Sequence, residues 1–149
     1  MTKVLFICHG NICRSPMAEF VMKDLVAKAG LSDKFEIASA ATSTEEIGNP
    51  VYPPARRKLA EHGISCEGKT ARQMTRRDYE TYDYLIAMDY NNLRNMARFV
   101  GGDPEHKIIP AAPAMWPTHG IPGTLKLPGR MCWRAARPCW KNCADRRIL

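Results

Sequence analysis

Apolar and polar positions follow one rule up to about residue 109 and none after it. "KVLFIC" (3–8) is an apolar run of buried-strand length. Ser15-Pro16 then predicts a helix start, because a serine hydroxyl caps free N–H groups and proline suits a first turn. Ala18, Val21, Met22, Leu25, Val26 and Ala29 fall on one face of that helix, and Gly30 stops it. "FEIAS" (35–39) predicts a second strand, and the turn residues of "STEEIGNPVYPP" (43–54) predict a long loop. "ARRKLAEH" (55–62) reads as a short helix ending at Gly63, and "MTRRDYETY" (74–82) as another. "YDYLIAM" (82–88) predicts a third strand. Asp89 is placed to cap the helix "YNNLRNMARFV", with Asn92 on its surface and Gly101-Gly102 at its end. "HKII" (106–109) opens a further strand. Strands alternating with helices predict an α/β fold, a parallel sheet covered on both faces.

After residue 109 neither period persists. The last stretch holds six of the eleven prolines and all three tryptophans. Prolines at 110, 113, 117, 122, 128 and 138 oppose long regular elements. The chain of 149 residues is one domain's worth. It divides into a domain over 1–108 and an irregular tail over 109–149. Charge divides the same way, since the tail carries seven bases and one acid and leaves the body at a net +1 out of a total +7. A nearly neutral body lacks the electrostatic footprint of a nucleic-acid binder. No run of 18 apolar residues suggests a membrane span, and Val4–Cys8 is too short for a signal-peptide core. These features predict a cytoplasmic chain with reduced thiols, so its six cysteines need a reason other than a disulfide framework.

"CHGNICRSP" (8–16) offers one. A strand ends at Cys8 and a helix begins near Ser15. The N–H groups of such a tight loop converge on one point, where the helix adds its positive end. Arg14 brings a planar fork matched to two oxygens of a phosphate. A cysteine in the floor of this cradle sits in a field that favours thiolate. The loop therefore reads as an anion pocket built for phosphoryl transfer to sulfur. A zinc site on Cys8 and Cys13 lacks a correctly spaced second pair in the body, and an inert core cysteine leaves the Arg-Ser-Pro that follows without a reason.

The C-x5-R-S pattern resembles the signature of protein tyrosine phosphatases, and "CHGNICRSPMAE" resembles the low-molecular-weight class. The likeness continues through "SAATS" (39–43), "GNPVYPPA" (48–55), "TARQ" (70–73), "YDYLIAMDYNN" (82–92) and "GGDPEHK" (101–107). It implies a four-stranded parallel sheet with helices on both sides, and hydrolysis of phosphotyrosine in proteins without metal or cofactor. By the same resemblance, Cys8 is the nucleophile and Arg14 holds the phosphoryl oxygens. The phosphate lies in the cradle His9, Gly10, Asn11, Ile12, Cys13, Arg14 and Ser15. Asn11 holds the loop's shape through a left-handed backbone, and Ser39 braces Asn11. Ser15 caps the helix and donates a hydrogen bond to the thiolate, and Cys13 is a reversible redox partner of Cys8. Arg72 reads as a structural ion-pair partner. Lys69 stands where many members carry a histidine and receives no role.

One part is missing. A phenolate leaving phosphate needs a proton, and a carboxylic acid commonly supplies it. In the family that acid stands in an Asp-Pro-Trp-Tyr-like loop near the C-terminus, and this chain has no such text. Asp103-Pro104 matches a different turn, and Asp145 is the only acid after Glu105. Read one base out of frame, "AMWPTHG" (114–120) permits Val-Ala-Asp-Pro-Trp-Tyr. A shifted frame from about residue 109 accounts for the tail's prolines, cysteines, tryptophans and arginines together. It ranks above zinc ligation by His119, Cys132, Cys139 and Cys143, and above an RNA-binding role for the basic tail. Three rivals share the cradle. An arsenate reductase needs resolving cysteines on a later mobile segment, where the body offers only Cys13 and Cys66. A protein-arginine phosphatase carries threonine where Ile12 stands. A catalytically dead module would bind phosphate or phosphoproteins without turnover.

Overall fold

Five of the seven residues of the first strand, β1 (Thr2–Cys8), are buried, as a strand covered on both faces requires. The computed structural model describes residues 1–110. The expectations for the irregular tail, for the zinc and RNA readings and for the shifted-frame text lie outside the described residues. After β1 come α1 (Arg14–Lys28), β2 (Phe35–Ala41), α2 (Pro53–Glu61), α3 (Arg76–Thr81), β3 (Tyr84–Ala87), α4 (Tyr90–Phe99) and β4 (Ile108–Pro110). The four strands form one parallel sheet in the order β2-β1-β3-β4. No helix among the described residues is long and apolar enough to cross a membrane.

Strand alternation splits the core into two layers. Val4, Phe6 and Cys8 pack with Met17, Val21 and Val26 of α1 and Leu59 of α2. Leu5 and Ile7 pack on the other face with Tyr79 of α3 and Met96 of α4. Leu5, Ile7 and Leu85 are fully buried, each stabilising the fold by roughly 1.5–3 kcal/mol. The chain leaves β1 for β2 on one side and returns to β3 on the other, so the carboxyl ends of β1 and β3 flank a topological switch point. Ligands of open α/β sheets bind at such points. Cys8 is the last residue of β1, and Met88 N–H bonds the Ile7 carbonyl beside it at 3.1 Å.

The elements match the sequence pattern, with shifted ends. β2 runs two residues past Ser39 because Ala40 and Ala41 pair with Ile7 and Cys8. α3 starts later than "MTRRDYETY" suggests, because Met74 N–H is tied to the Ala41 carbonyl at 2.7 Å and Thr75 becomes the cap. Asp89 does cap α4, accepting from Asn92 N–H at 2.7 Å. Asn92 itself corrects the reading, since it is 1% exposed rather than on the surface. It lies one turn before Met96, on the face that α4 buries against the sheet.

The short α3 owes its start to a capping box: Thr75 Oγ1 accepts from Asp78 N–H, and Asp78 Oδ2 accepts from Thr75 N–H at 2.7 Å. Arg72 adds two bonds to the same carboxylate, at 2.9 and 3.0 Å. Burial pushes the Asp78 carboxyl up, but the Arg72 and Thr75 hydrogen bonds outweigh it and hold the group below the usual carboxylate range. Asp78→Ala should lower the unfolding free energy by about 1–2 kcal/mol in urea titrations at neutral pH. A carboxyl whose folded value is depressed stabilises fully above its unfolded value of about 3.9 and loses that effect as pH falls through the folded one. The variant's deficit should therefore shrink below about pH 4. A deficit constant from neutral to acid pH would leave the charge without a part in it.

Candidate active site

Five residues, His9–Cys13, carry the chain from the end of β1 to the start of α1. Alternation turns Cys8 towards the α1 side of the sheet, and the thiol is buried there at 2% exposure. Two groups reach its sulfur: Asn11 N–H donates at 3.2 Å, and the Ser15 hydroxyl lies in hydrogen-bond contact at 3.0 Å. Asn11 is left-handed (φ 58°), which lets its N–H fold back onto the sulfur. Its amide is fully engaged. Oδ1 accepts from Arg72 N–H at 3.2 Å, while Nδ2 donates to Ser15 Oγ at 2.8 Å and Ser39 Oγ at 2.9 Å.

Ser15 is not the helix cap expected from the sequence. Helix α1 begins at Arg14 with Cys13 as its cap residue, and no side chain caps it. Ser15 lies inside the first turn and is fully buried, so its hydroxyl is free to join Asn11 to the sulfur. Cys13 is buried at the cap position. The rest of the loop is pinned from outside: Thr42 N–H bonds the Cys8 carbonyl, Ser43 bonds the His9 carbonyl, and Tyr52 N–H bonds the Ile12 carbonyl at 2.7 Å. The His9 ring pairs with Glu45 at 3.1 Å on the exposed rim. At Gly10 a Cβ would stand 3.2 Å from the Glu46 side chain, which is the close approach glycine allows here.

Arg14 supplies the electrostatic contrast. Its side chain is only 11% exposed. Nη1 donates to Asp89 Oδ2 at 2.9 Å, but Nε and Nη2 are buried and have no hydrogen-bond partner among the described residues. Those two nitrogens form one edge of the guanidinium, the edge that grips two oxygens at once. Leaving buried charged donors unsatisfied costs more than about 1–3 kcal/mol each, so the edge calls for an anion. Asp89 thus does two jobs, capping α4 with one oxygen and turning the guanidinium with the other.

The sequence reading therefore finds the loop residues together, and Ser39 with them. It misses Asp89 as the partner of Arg14, and it misses Glu19 and Lys69. Glu19 is 3% exposed and accepts the Ser39 hydroxyl at 2.5 Å. Its signal was there: a charge on the stripe of Ser15, Met22 and Val26, all buried. No group of three or more metal-binding side chains occurs among the described residues.

This geometry accompanies clear likenesses to known proteins. Residues 3–111 match the model of the family described as low molecular weight phosphotyrosine protein phosphatase. A rat protein of that description is 50% identical over 95 residues, covering 64% of this chain and 60% of the rat protein. The Bacillus subtilis low molecular weight protein-tyrosine-phosphatase YfkJ is 48% identical over 102 residues, covering 66% of this chain and 65% of that one. Its crystal structure superposes with a TM-score of 0.76 over 97% of this chain and 94% of that one, at 34% identity. A fission-yeast protein of the family's description is 45% identical over 131 residues, covering 85% of this chain and 80% of its own length. In the first two matches the chain thus spans less than two thirds of its relatives' length.

Proposed function

The chain belongs to the low molecular weight phosphotyrosine protein phosphatase family, and from that premise we propose that it hydrolyses phosphotyrosine in proteins through a phosphate ester on Cys8. The single observation that carries the reading is the buried Nε–Nη2 edge of Arg14, which has no hydrogen-bond partner among the described residues, at the end of the short loop that follows a buried thiol in contact with Asn11 N–H and the Ser15 hydroxyl. The edge fits two oxygens of a phosphoryl group, and the thiolate supplies the nucleophile. Sulfur bonds to phosphorus as the phosphorus–oxygen bond to the tyrosine breaks. Arg14 and the loop N–H groups take up the charge spread over the three remaining oxygens. Water then attacks the phosphocysteine and frees the sulfur. Asn11, Ser15 and Ser39 keep the loop in shape, Cys13 protects the nucleophile from irreversible oxidation, and the reducing cytoplasm suits this chemistry.

The second feature of the reading is impairment. The departing phenolate needs a proton, and the family's Asp-Pro-Trp-Tyr-like text is absent from this chain. Loss of a general acid typically slows turnover about 10²–10⁴-fold. That loss should fall on poor leaving groups and spare acidic ones. Rates for a series of aryl phosphates should therefore depend steeply on leaving-group acidity. Acid quenching during turnover of the most reactive member should trap phosphate on Cys8. Equal slowing across the series would count against the missing acid. Phosphate binding with no trapped ester would leave a binding module instead. The coding nucleotides for residues 105–120 test the shifted frame directly, since a frame that cannot spell Asp-Pro-Trp-Tyr there ends the idea.

A further inference from the structure

Behind the loop, Glu19 and Lys69 are charged groups for which phosphoryl transfer has no direct use, yet Glu19 is buried and Lys69 part-buried against the residues that support the nucleophile. Glu19 is 3% exposed, and the Lys69 side chain 13%. Lys69 Nζ donates to the Ser39 carbonyl at 3.0 Å and pairs with Glu19 Oε1 at 3.4 Å. We propose that Lys69 is a positioning residue for Cys8, holding the buried chain Glu19–Ser39–Asn11–Ser15 in the one donor order that ends on the sulfur.

The order can be read because each link has a donor of known kind. A backbone N–H only donates, so the contact from Arg72 N–H identifies Asn11 Oδ1, and the amide's hydrogens lie at the other end. They go to Ser15 and Ser39. A carboxylate only accepts, so the Ser39 hydroxyl hydrogen turns to Glu19. The remaining hydrogen, that of Ser15, is then directed to Cys8. The Ser39 step depends on Glu19 as the acceptor. With Glu19 taking the Ser39 hydrogen, the Ser39 oxygen is left to accept from Asn11 Nδ2, which adds to the Arg72 contact that fixes the amide.

Two lysines hold the Glu19 charge, and they differ. Lys23 sits one turn along α1, bonds Oε2 at 2.7 Å, and is 45% exposed. Lys69 comes from the loop after α2 and touches both the carboxylate and the backbone of Ser39, so it joins α1 to β2. Burial lowers Lys69 below the usual lysine value, against the opposing pull of Glu19, so the ammonium is costly where it lies.

The proposal rests on Cys8 being the nucleophile, and its test separates the two. The full chain, with Lys69→Met, Lys69→Gln and Lys69→Arg, is assayed for turnover of para-nitrophenyl phosphate and for iodoacetate alkylation of Cys8, mapped by mass spectrometry. Lys69→Met should slow both about tenfold, the size of one lost charge-assisted hydrogen bond. KM should move less than about twofold, because Arg14 is untouched. Lys69→Arg should restore both rates to within about threefold, whereas a purely packing role would not distinguish a new cation from methionine. Lys69→Gln, a donor without charge, should fall between, and replaces Lys69→Met where that variant does not fold. Parental rates in Lys69→Met or Lys69→Gln, or a Lys69→Arg as slow as they are, would overturn the proposal. No turnover by the parent would sink the phosphatase reading alone, because the alkylation series still decides the role of Lys69.

Discussion

Cys8→Ser is expected to lower turnover of an aryl phosphate by on the order of 10⁵, the scale on which losing a nucleophile acts. It should leave the chain folded and able to bind phosphate. The thiol is buried, with Asn11 N–H donating to it at 3.2 Å and the Ser15 hydroxyl in contact at 3.0 Å. Among the described residues no carboxylate or imidazole touches the sulfur to take a proton from it, so a serine there stays a neutral alcohol. Phosphate affinity should persist, because the Arg14 edge and the loop N–H groups are unchanged. Iodoacetate mapping gives an internal comparison. It should label Cys8 first and Cys66 slowly, since burial raises the Cys66 thiol against the opposing pull of Arg56. A serine variant keeping even a hundredth of parental turnover would move the chemistry off Cys8.

How much of this was legible in the sequence depended on the range of the interaction. Strand and helix order follow from periodicity, which is local, and the loop between β1 and α1 is a run of consecutive residues whose roles sit side by side. The element ends were less legible, because contacts distant in sequence set them: Met74 is held out of α3 by the Ala41 carbonyl. The supports of the site were least legible. Asp89 lies 75 residues from Arg14, and Lys69 lies 50 from Glu19. Neither pair has a sequence spacing to reveal it, since the contact exists only once the β1–β3 and α1–β2 packing is made. Ser15 was misread for the same reason. Serine before proline at a helix start usually caps, but here a buried asparagine and a buried thiol claim the hydroxyl first.

Arg14→Lys should cost about 10²–10³ in kcat, the range for removing a donor that stabilises transition-state charge. The substitution keeps one positive charge and about the same reach, so a purely Coulombic role would lose little. The geometry argues otherwise. Asp89 already occupies one side of the guanidinium, and the planar group turns that contact into a fixed direction for the opposite edge. A lysine ammonium has no opposite edge. Paired with the Asp89 oxygen, it presents no two-pronged donor to the phosphoryl group; turned to the phosphate, it leaves Asp89 unbalanced on a part-buried carboxylate. The loss should therefore exceed what phosphate affinity reports. Inorganic phosphate, with its charge already developed, should bind the variant less than about tenfold more weakly, while kcat falls by the full factor. Equal losses in binding and kcat would mean that Arg14 recognises the ground state alone, and the buried edge would then have no special part in the transfer.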